Sequence, residues 1–118
     1  MRVLVVEDDA LIGALLAETL QEMGYDVCAI VATEGDAVTA ANRYKPDLMI
    51  VDAWLGDGSG VSAVEKILLN GFIPHLFVSG DISRIKTRRP HPVMLQKPFN
   101  ESGLAQAIQR AFGALTIF

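Results

Sequence analysis

The sequence predicts an α/β protein in which helices cover both faces of a parallel sheet. Five short apolar runs alternate with segments whose apolar residues recur at helical spacing. Each run is continuous rather than alternating, which is typical of strands buried on both faces. Helical crossovers between successive strands make those strands parallel. We therefore expect a three-layer (βα)5 sandwich.

The predicted strands are rich in aliphatic residues and lie at residues 3–6, 27–31, 48–51, 76–78 and 93–95. The predicted helices are bounded by residues that cap or break helices: Asp9 and Gly24, Thr33 and Pro46, Asn70-Gly71, and Asn100. The last helix carries an apolar stripe of Leu104, Ile108, Ala111, Phe112 and Leu115. Before strand five, Arg89-Pro90-His91-Pro92 opposes helix formation, so we expect a short or irregular helix there.

The composition indicates one domain, which we assign to residues 1–118 with no output domain in this chain. Apolar residues make up 51% of the sequence, enough for a core and too many for a disordered chain. The single cysteine excludes a disulfide framework. No apolar run is long enough for a membrane span, and acidic residues come too early for a signal peptide. We expect a cytoplasmic protein with no membrane contact.

The net charge of −4 is unevenly distributed. Residues 1–65 hold three basic and twelve acidic residues, whereas residues 66–118 hold seven basic and two acidic ones. An acidic protein is a poor general ligand for nucleic acid, so we expect no direct nucleic acid binding. The local basic cluster consists of Arg84, Lys86, Arg88 and Arg89. It is either a solvated surface or a surface that contacts a partner protein.

Polar residues stand at the ends of four predicted strands. Glu7-Asp8-Asp9 follow strand one, and Asp52, Ser79 and Lys97 stand at the ends of strands three, four and five. These groups are expected to converge, because the carboxyl ends of parallel strands share one edge and ligands bind there. Adjacent carboxylates repel each other and favour a hard cation such as Mg2+, which prefers oxygen ligands. With one carboxylate as the nucleophile, the set suits phosphoryl transfer.

Each motif also has an ordinary structural interpretation. The ordinary roles are a helix cap for Asp8 or Asp9, a turn cap for Asp52, a turn for Ser79-Gly80 and a surface position for Lys97-Pro98. All of them would have to coincide at one edge of the sheet. We therefore favour a functional site.

In these motifs the chain resembles the response-regulator receiver domains of two-component signalling, over essentially the whole sequence. The pair Asp8-Asp9 is similar to the acidic metal-binding pair of that family, and Asp52 is similar to its phosphoacceptor. Ser79 is similar to its hydroxyl residue, and Lys97-Pro98 to its lysine and following proline. The resemblance implies a flavodoxin-like fold whose parallel sheet has the strand order 2-1-3-4-5.

The resemblance also implies a function. Asp52 would accept a phosphoryl group from a histidine kinase or a phosphotransfer protein, and contacts with a downstream protein target would then change. Asp9, Asp52 and the backbone carbonyl of Trp54 would bind Mg2+ directly, while Asp8 would hold a metal-bound water.

The phosphoryl oxygens would be contacted by two side chains and two backbone groups. These are Ser79, Lys97 and the N–H groups of Ala53 and Gly80.

Two residues depart from the family pattern. Met94 stands three residues before Lys97, where members usually carry Tyr or Phe, and Gly56 stands where many members have proline. In lacking this aromatic residue, the chain resembles a subgroup of receiver domains from alphaproteobacteria that switches without it. We predict that residues 80–91 form the switching element. This segment, strand five and the last helix would form the face for a partner or a homodimer.

Three other functions remain open at this point. A phosphohydrolase that forms an aspartyl-phosphate would need an acid two residues after Asp52, where Trp54 stands. A flavin or nucleotide binder would need a glycine-rich turn after strand one, where acidic residues would repel phosphate. A receiver that only binds protein would not need the complete set of site residues. We therefore expect a signalling protein and not an enzyme.

Overall fold

The computed structural model describes residues 1–56 and 58–113, in which a five-stranded sheet lies between two pairs of helices. The sheet consists of β1 (Arg2–Val6), β2 (Asp26–Val31), β3 (Leu48–Asp52), β6 (His75–Ser79) and β7 (Met94–Gln96). A separate antiparallel pair consists of β4 (Trp54–Leu55) and β5 (Gly58–Ser59). The helices are α1 (Ala10–Glu22), α2 (Glu34–Tyr44), α3 (Gly60–Leu68) and α4 (Glu101–Gly113).

The strand order confirms the predicted fold. The sheet runs β2-β1-β3-β6-β7, and all four pairings are parallel. These are the five strands expected from the sequence, so the order corresponds to 2-1-3-4-5.

Both faces of the central strands are buried. In β1, Val3 and Val5 pack with the core formed with α1 and α4, whereas Leu4 and Val6 pack with the core formed with α2 and α3. Successive side chains of a strand point to opposite faces, so every position of such a strand must be apolar. This explains why the strands appear in the sequence as continuous apolar runs.

The helix boundaries largely follow the predicted signals. Thr33 Oγ1 accepts a hydrogen bond from the backbone N–H of Asp36 at 3.1 Å, and Asn100 Oδ1 accepts one from Gly103 at 2.8 Å. Leu115 of the predicted apolar stripe lies outside the described residues. No helix of the described chain combines the length and apolarity needed to cross a membrane.

Two segments contain less or more structure than a simple α/β repeat. The predicted irregular helix is a single 3-10 turn, Ile82–Arg84, and residues 85–93 are irregular, in agreement with their prolines. The sequence predicts only a turn over residues 56–60, whereas β5 lies within this stretch and pairs with β4. Each of these strands is two residues long, which is too short to show a periodic pattern.

Candidate functional site

Four polar side chains lie at the carboxyl edge of the sheet, at the ends of β1, β3, β6 and β7. The register of β1 against β3 pairs Val6 with Val51, and the next residues are Glu7 and Asp52. Ser79 ends β6, and Lys97 follows β7. The polar or charged residues that are buried in the described part of the chain are Glu7, Asp52 and Ser79. Burial of polar groups costs free energy, so the clustering of three buried polar side chains at one edge of the sheet indicates a functional site.

One ammonium group forms ion pairs with two carboxylates. Lys97 Nζ lies 2.8 Å from Glu7 Oε1 and 3.3 Å from Asp52 Oδ2. Burial raises the pKa of Glu7, and the hydrogen bond from Lys97 opposes that effect. Burial alone would lower the pKa of Lys97, but the hydrogen bond to Glu7 and the charges of Asp52 and Glu7 raise it above its ordinary value. Lys97 is therefore held in its charged form at the centre of the site.

Three carboxylates form an acidic cluster beside this lysine. Glu7, Asp8 and Asp52 each offer an oxygen atom, and these atoms lie within 4.8 Å of one another. Asp8 Oδ2 also accepts a hydrogen bond from the backbone N–H of Gly56 at 2.7 Å, which fixes its direction. Closely spaced, hard oxygen ligands with excess negative charge fit Mg2+, which retains several of its waters when it binds.

The resemblance implies that Asp9 is a direct metal ligand, but its side chain is not part of this cluster. Its Oδ1 accepts hydrogen bonds from the backbone N–H groups of Leu11 at 3.0 Å and Ile12 at 3.1 Å, so it caps α1. The cap satisfies N–H groups that have no partner within the helix. Glu7 takes the third position in the cluster. The sequence places it at this edge, directly after a buried strand, but the family resemblance gives it no metal-binding role.

The backbone next to Asp52 also differs from the expectation. The N–H of Ala53 donates to Val78 O at 3.0 Å and so belongs to the hydrogen bonds between β3 and β6. The N–H of Trp54 donates to Asp52 Oδ1 at 2.9 Å. The amide that faces the carboxylate is therefore that of Trp54 and not that of Ala53.

Ser79 lies between the sheet and the 3-10 turn. Its Oγ accepts a hydrogen bond from the N–H of Asp81 at 3.1 Å and donates to Asp81 O at 3.3 Å. Gly80, the other predicted backbone donor, is exposed at the same edge. The hydroxyl is thus hydrogen-bonded to the backbone of the segment that follows β6.

Two members of the basic cluster lie over aromatic rings. Arg84 Cζ lies 5.4 Å from the ring centroid of Trp54, and Arg89 Cζ lies 4.7 Å from that of Phe72. Both distances are within the range of cation–π interactions.

Met94, at the position of the absent aromatic residue, is half-buried and is paired with Phe77.

A comparison with protein-family models matches residues 3–109 to the response regulator receiver domain. The chain belongs to this family. The match covers most of the sequence and confirms the resemblance that the strand-end residues indicate.

Curated relatives of this receiver domain are regulators of greater length. The transcriptional regulatory protein PdtaR of Mycobacterium tuberculosis is 34% identical over 93% of this chain and 56% of its own length. The phyllosphere-induced regulator PhyR of Methylorubrum extorquens is 33% identical over 92% of this chain and 42% of its own. The chain thus spans about half the length of these relatives.

Solved structures agree with the fold. The solution structure of the PhyR receiver domain from Erythrobacter litoralis is 36% identical, with a TM-score of 0.85 over 95% of this chain and 89% of that one. The chemotaxis response regulator CheY4 of Vibrio cholerae is 26% identical, with a TM-score of 0.82 over 93% of this chain and 97% of that one. The flavodoxin-like prediction is confirmed.

Proposed function

We propose that residues 1–118 act as one receiver domain in the cytoplasm, and that Asp52 accepts a phosphoryl group in an Mg2+-dependent reaction. The observation that carries the proposal is a buried carboxylate, Asp52, held 3.3 Å from the ammonium group of Lys97 inside a cluster of carboxylates. A charged lysine and a metal site beside one nucleophilic oxygen are what phosphoryl transfer requires.

In the proposed reaction, an oxygen of Asp52 attacks the phosphorus of a phosphohistidine in a histidine kinase or phosphotransfer protein. The O–P bond forms, the P–N bond breaks, and its electron pair stays on the imidazole nitrogen. We expect the phosphoryl oxygens to be bound by Lys97, the Ser79 hydroxyl and the backbone N–H groups of Trp54 and Gly80. A signalling role follows, in which the phosphorylated domain changes its protein contacts rather than turning over a substrate.

Mg2+ would be held by Glu7, Asp8 and Asp52, with the carbonyl of Trp54 as a further oxygen ligand. When bound, the metal would supply charge neutralisation at the phosphoryl oxygens. The resemblance implies that Asp9 is a direct ligand. We propose Glu7 and Asp8 in its place, because the Asp9 side chain caps α1.

The apolar surface beside the site supports a protein phosphodonor. Leu11, Ile12 and Leu15 of α1 are 69%, 38% and 55% exposed, and contiguous exposed apolar side chains of this kind mark protein interaction sites. A shallow groove is lined by Ile12, Leu15, Lys97, Pro98 and Phe99. Because Lys97 lies in both the groove and the phosphoacceptor site, a protein bound in the groove would present its phosphohistidine to Asp52. We assign this face to the phosphodonor, and the face formed by residues 80–91, β7 and α4 to a downstream partner or a homodimer.

The proposal is tested by phosphorylation with the small donor phosphoramidate in the presence of Mg2+, followed by intact mass spectrometry. The parent is expected to gain one phosphoryl group that is labile to base, and chelation of Mg2+ is expected to prevent the gain. Asp52→Asn is expected to remain unmodified.

Asp9→Asn is the matched control, because it removes a neighbouring acid that lies outside the acidic cluster and keeps the cap. It should be labelled like the parent. Equal labelling of Asp52→Asn and the parent would refute the assignment. A panel of histidine kinases then identifies the natural donor by the rate of transfer.

A further inference from the structure

A side-chain contact links the two loops that follow β3 and β6. The chain has one tryptophan, Trp54, two residues after the proposed phosphoacceptor. The residue is 48% exposed, and its ring lies under the guanidinium of Arg84. Because β3 and β6 are neighbours in the sheet, this contact crosses the carboxyl edge between Asp52 and Ser79.

Hydrogen bonds connect Arg84 to the Ser79 hydroxyl through a single carbonyl group. Asp81 O accepts both from Ser79 Oγ and from the backbone N–H of Arg84, each at 3.3 Å. Asp81 Oδ1 also accepts from the N–H of Ser83 at 3.1 Å, which closes the turn. Ile85, the next residue after the turn, is buried in the core. The turn is therefore a compact unit, so a displacement of Asp81 is transmitted to Arg84.

We propose that Arg84 is a positioning residue of the phosphorylation site. Its contact with Trp54 holds the 3-10 turn in a place where the Ser79 hydroxyl is bonded to Asp81. The inference rests on the proposed function, in which that hydroxyl donates to the phosphoryl group. To donate to the phosphoryl group, the Ser79 hydroxyl must break its hydrogen bond to Asp81 O. The accompanying movement of the 3-10 turn separates Arg84 from Trp54.

Coupling of this kind is reciprocal. If phosphorylation separates Arg84 from Trp54, then a protein without the contact is phosphorylated more readily. A cation–π contact at an exposed site changes an equilibrium about two- to five-fold. We expect Arg84→Gln to lower, by about that factor, the phosphoramidate concentration needed to phosphorylate half of the protein.

The direct test is quenching of Trp54 fluorescence by acrylamide, with saturating Mg2+ in every sample. In the unphosphorylated parent, the guanidinium covers part of the ring, so the quenching constant should be lower than in Arg84→Gln. Phosphorylation of the parent should raise the constant to the value of the variant. In Arg84→Gln it should cause no further rise.

Three controls separate this role from a general effect on structure. Arg88→Gln removes an exposed charge from the same segment and should behave as the parent. Arg84→Lys keeps a cation and should restore part of the protection. Asp52→Asn, treated with the same donor, should show no change and so excludes an effect of the reagents.

The outcomes distinguish this inference from the proposed function. A mass spectrum without a phosphoryl group on Asp52 would overturn both. Complete labelling of the parent without a change in quenching would overturn only the role of Arg84, as would equal quenching of the unphosphorylated parent and Arg84→Gln.

Discussion

Glu34 joins α2 to α3 and to the loop that follows Asp52. Glu34 Oε1 accepts a hydrogen bond from the N–H of Ser59 at 3.1 Å, and Oε2 accepts from Ser62 Oγ at 2.9 Å and from the Lys66 ammonium. The Lys66 hydrogen bond, with those from Ser59 and Ser62, lowers the pKa of Glu34 from 4.5 to about 2. Glu34→Gln removes the charge and keeps an oxygen that accepts from Ser59.

The structure gives a magnitude for this substitution. A pKa change from 4.5 to about 2 corresponds to about 3 kcal/mol of folding stability as an upper bound. The Lys66 side chain is 59% exposed, so solvent screening reduces the expected loss to about 0.5–1 kcal/mol. For a domain of this size, the melting temperature should fall by about 2–6 °C.

The loss should depend on pH. Because the pKa of Glu34 is lower in the folded than in the unfolded state, its contribution is complete above about pH 4.5 and disappears as the pH falls towards about 2. Urea unfolding of the parent and of Glu34→Gln from about pH 7 to about pH 3 measures this difference. Glu18→Gln, at an exposed position of α1, is the matched control. A loss equal to that of the control, or one that does not change with pH, would refute the reasoning.

Three further predictions concern the site and its surroundings. Asp9→Ala should cost about 1 kcal/mol of folding stability in urea unfolding, because the cap of α1 is lost, and should leave the Mg2+ affinity measured by calorimetry unchanged. In Gly60→Ala, the new Cβ would lie 1.9 Å from the backbone oxygen of Asp52. This variant should lose well over 1 kcal/mol in the same unfolding assay and should phosphorylate poorly. Leu15→Asp should slow transfer from a phosphohistidine protein at least ten-fold without changing labelling by phosphoramidate, whereas Leu69→Asp, at an 84% exposed position, should change neither.

Apolar patterning predicted the sheet because both of its faces are covered. A strand such as β3, buried at all five positions, can only be a continuous apolar run, and the polar residue that ends it is conspicuous. Asp52 and Lys97 were identified on this basis, and both lie where the sequence places them. Parallel topology then brings the strand ends together without any information on side-chain orientation.

Side-chain direction at the strand ends was not predictable in the same way. Three acidic residues separate β1 from α1, and the sequence does not show which of them turns towards the sheet edge. The demand of α1 for a cap decides it, since Asp9 satisfies the first N–H groups and leaves Glu7 and Asp8 for the cluster. The N–H of Ala53 is similarly committed to Val78 O, which only the pairing of β3 with β6 reveals.

The position of Lys97 makes it a tethered counter-ion. Glu7, Asp8 and Asp52 would repel one another in a site without a cation, but the ammonium group already neutralises part of their charge from within the chain. If a divalent ion binds there as we propose, it would neutralise the charge that Lys97 neutralises in its absence. Lys97 would then be released from the carboxylates without leaving the site, and its ammonium group could donate to an arriving phosphoryl group. Cation exchange at this edge would thereby free a hydrogen-bond donor for the proposed transfer step.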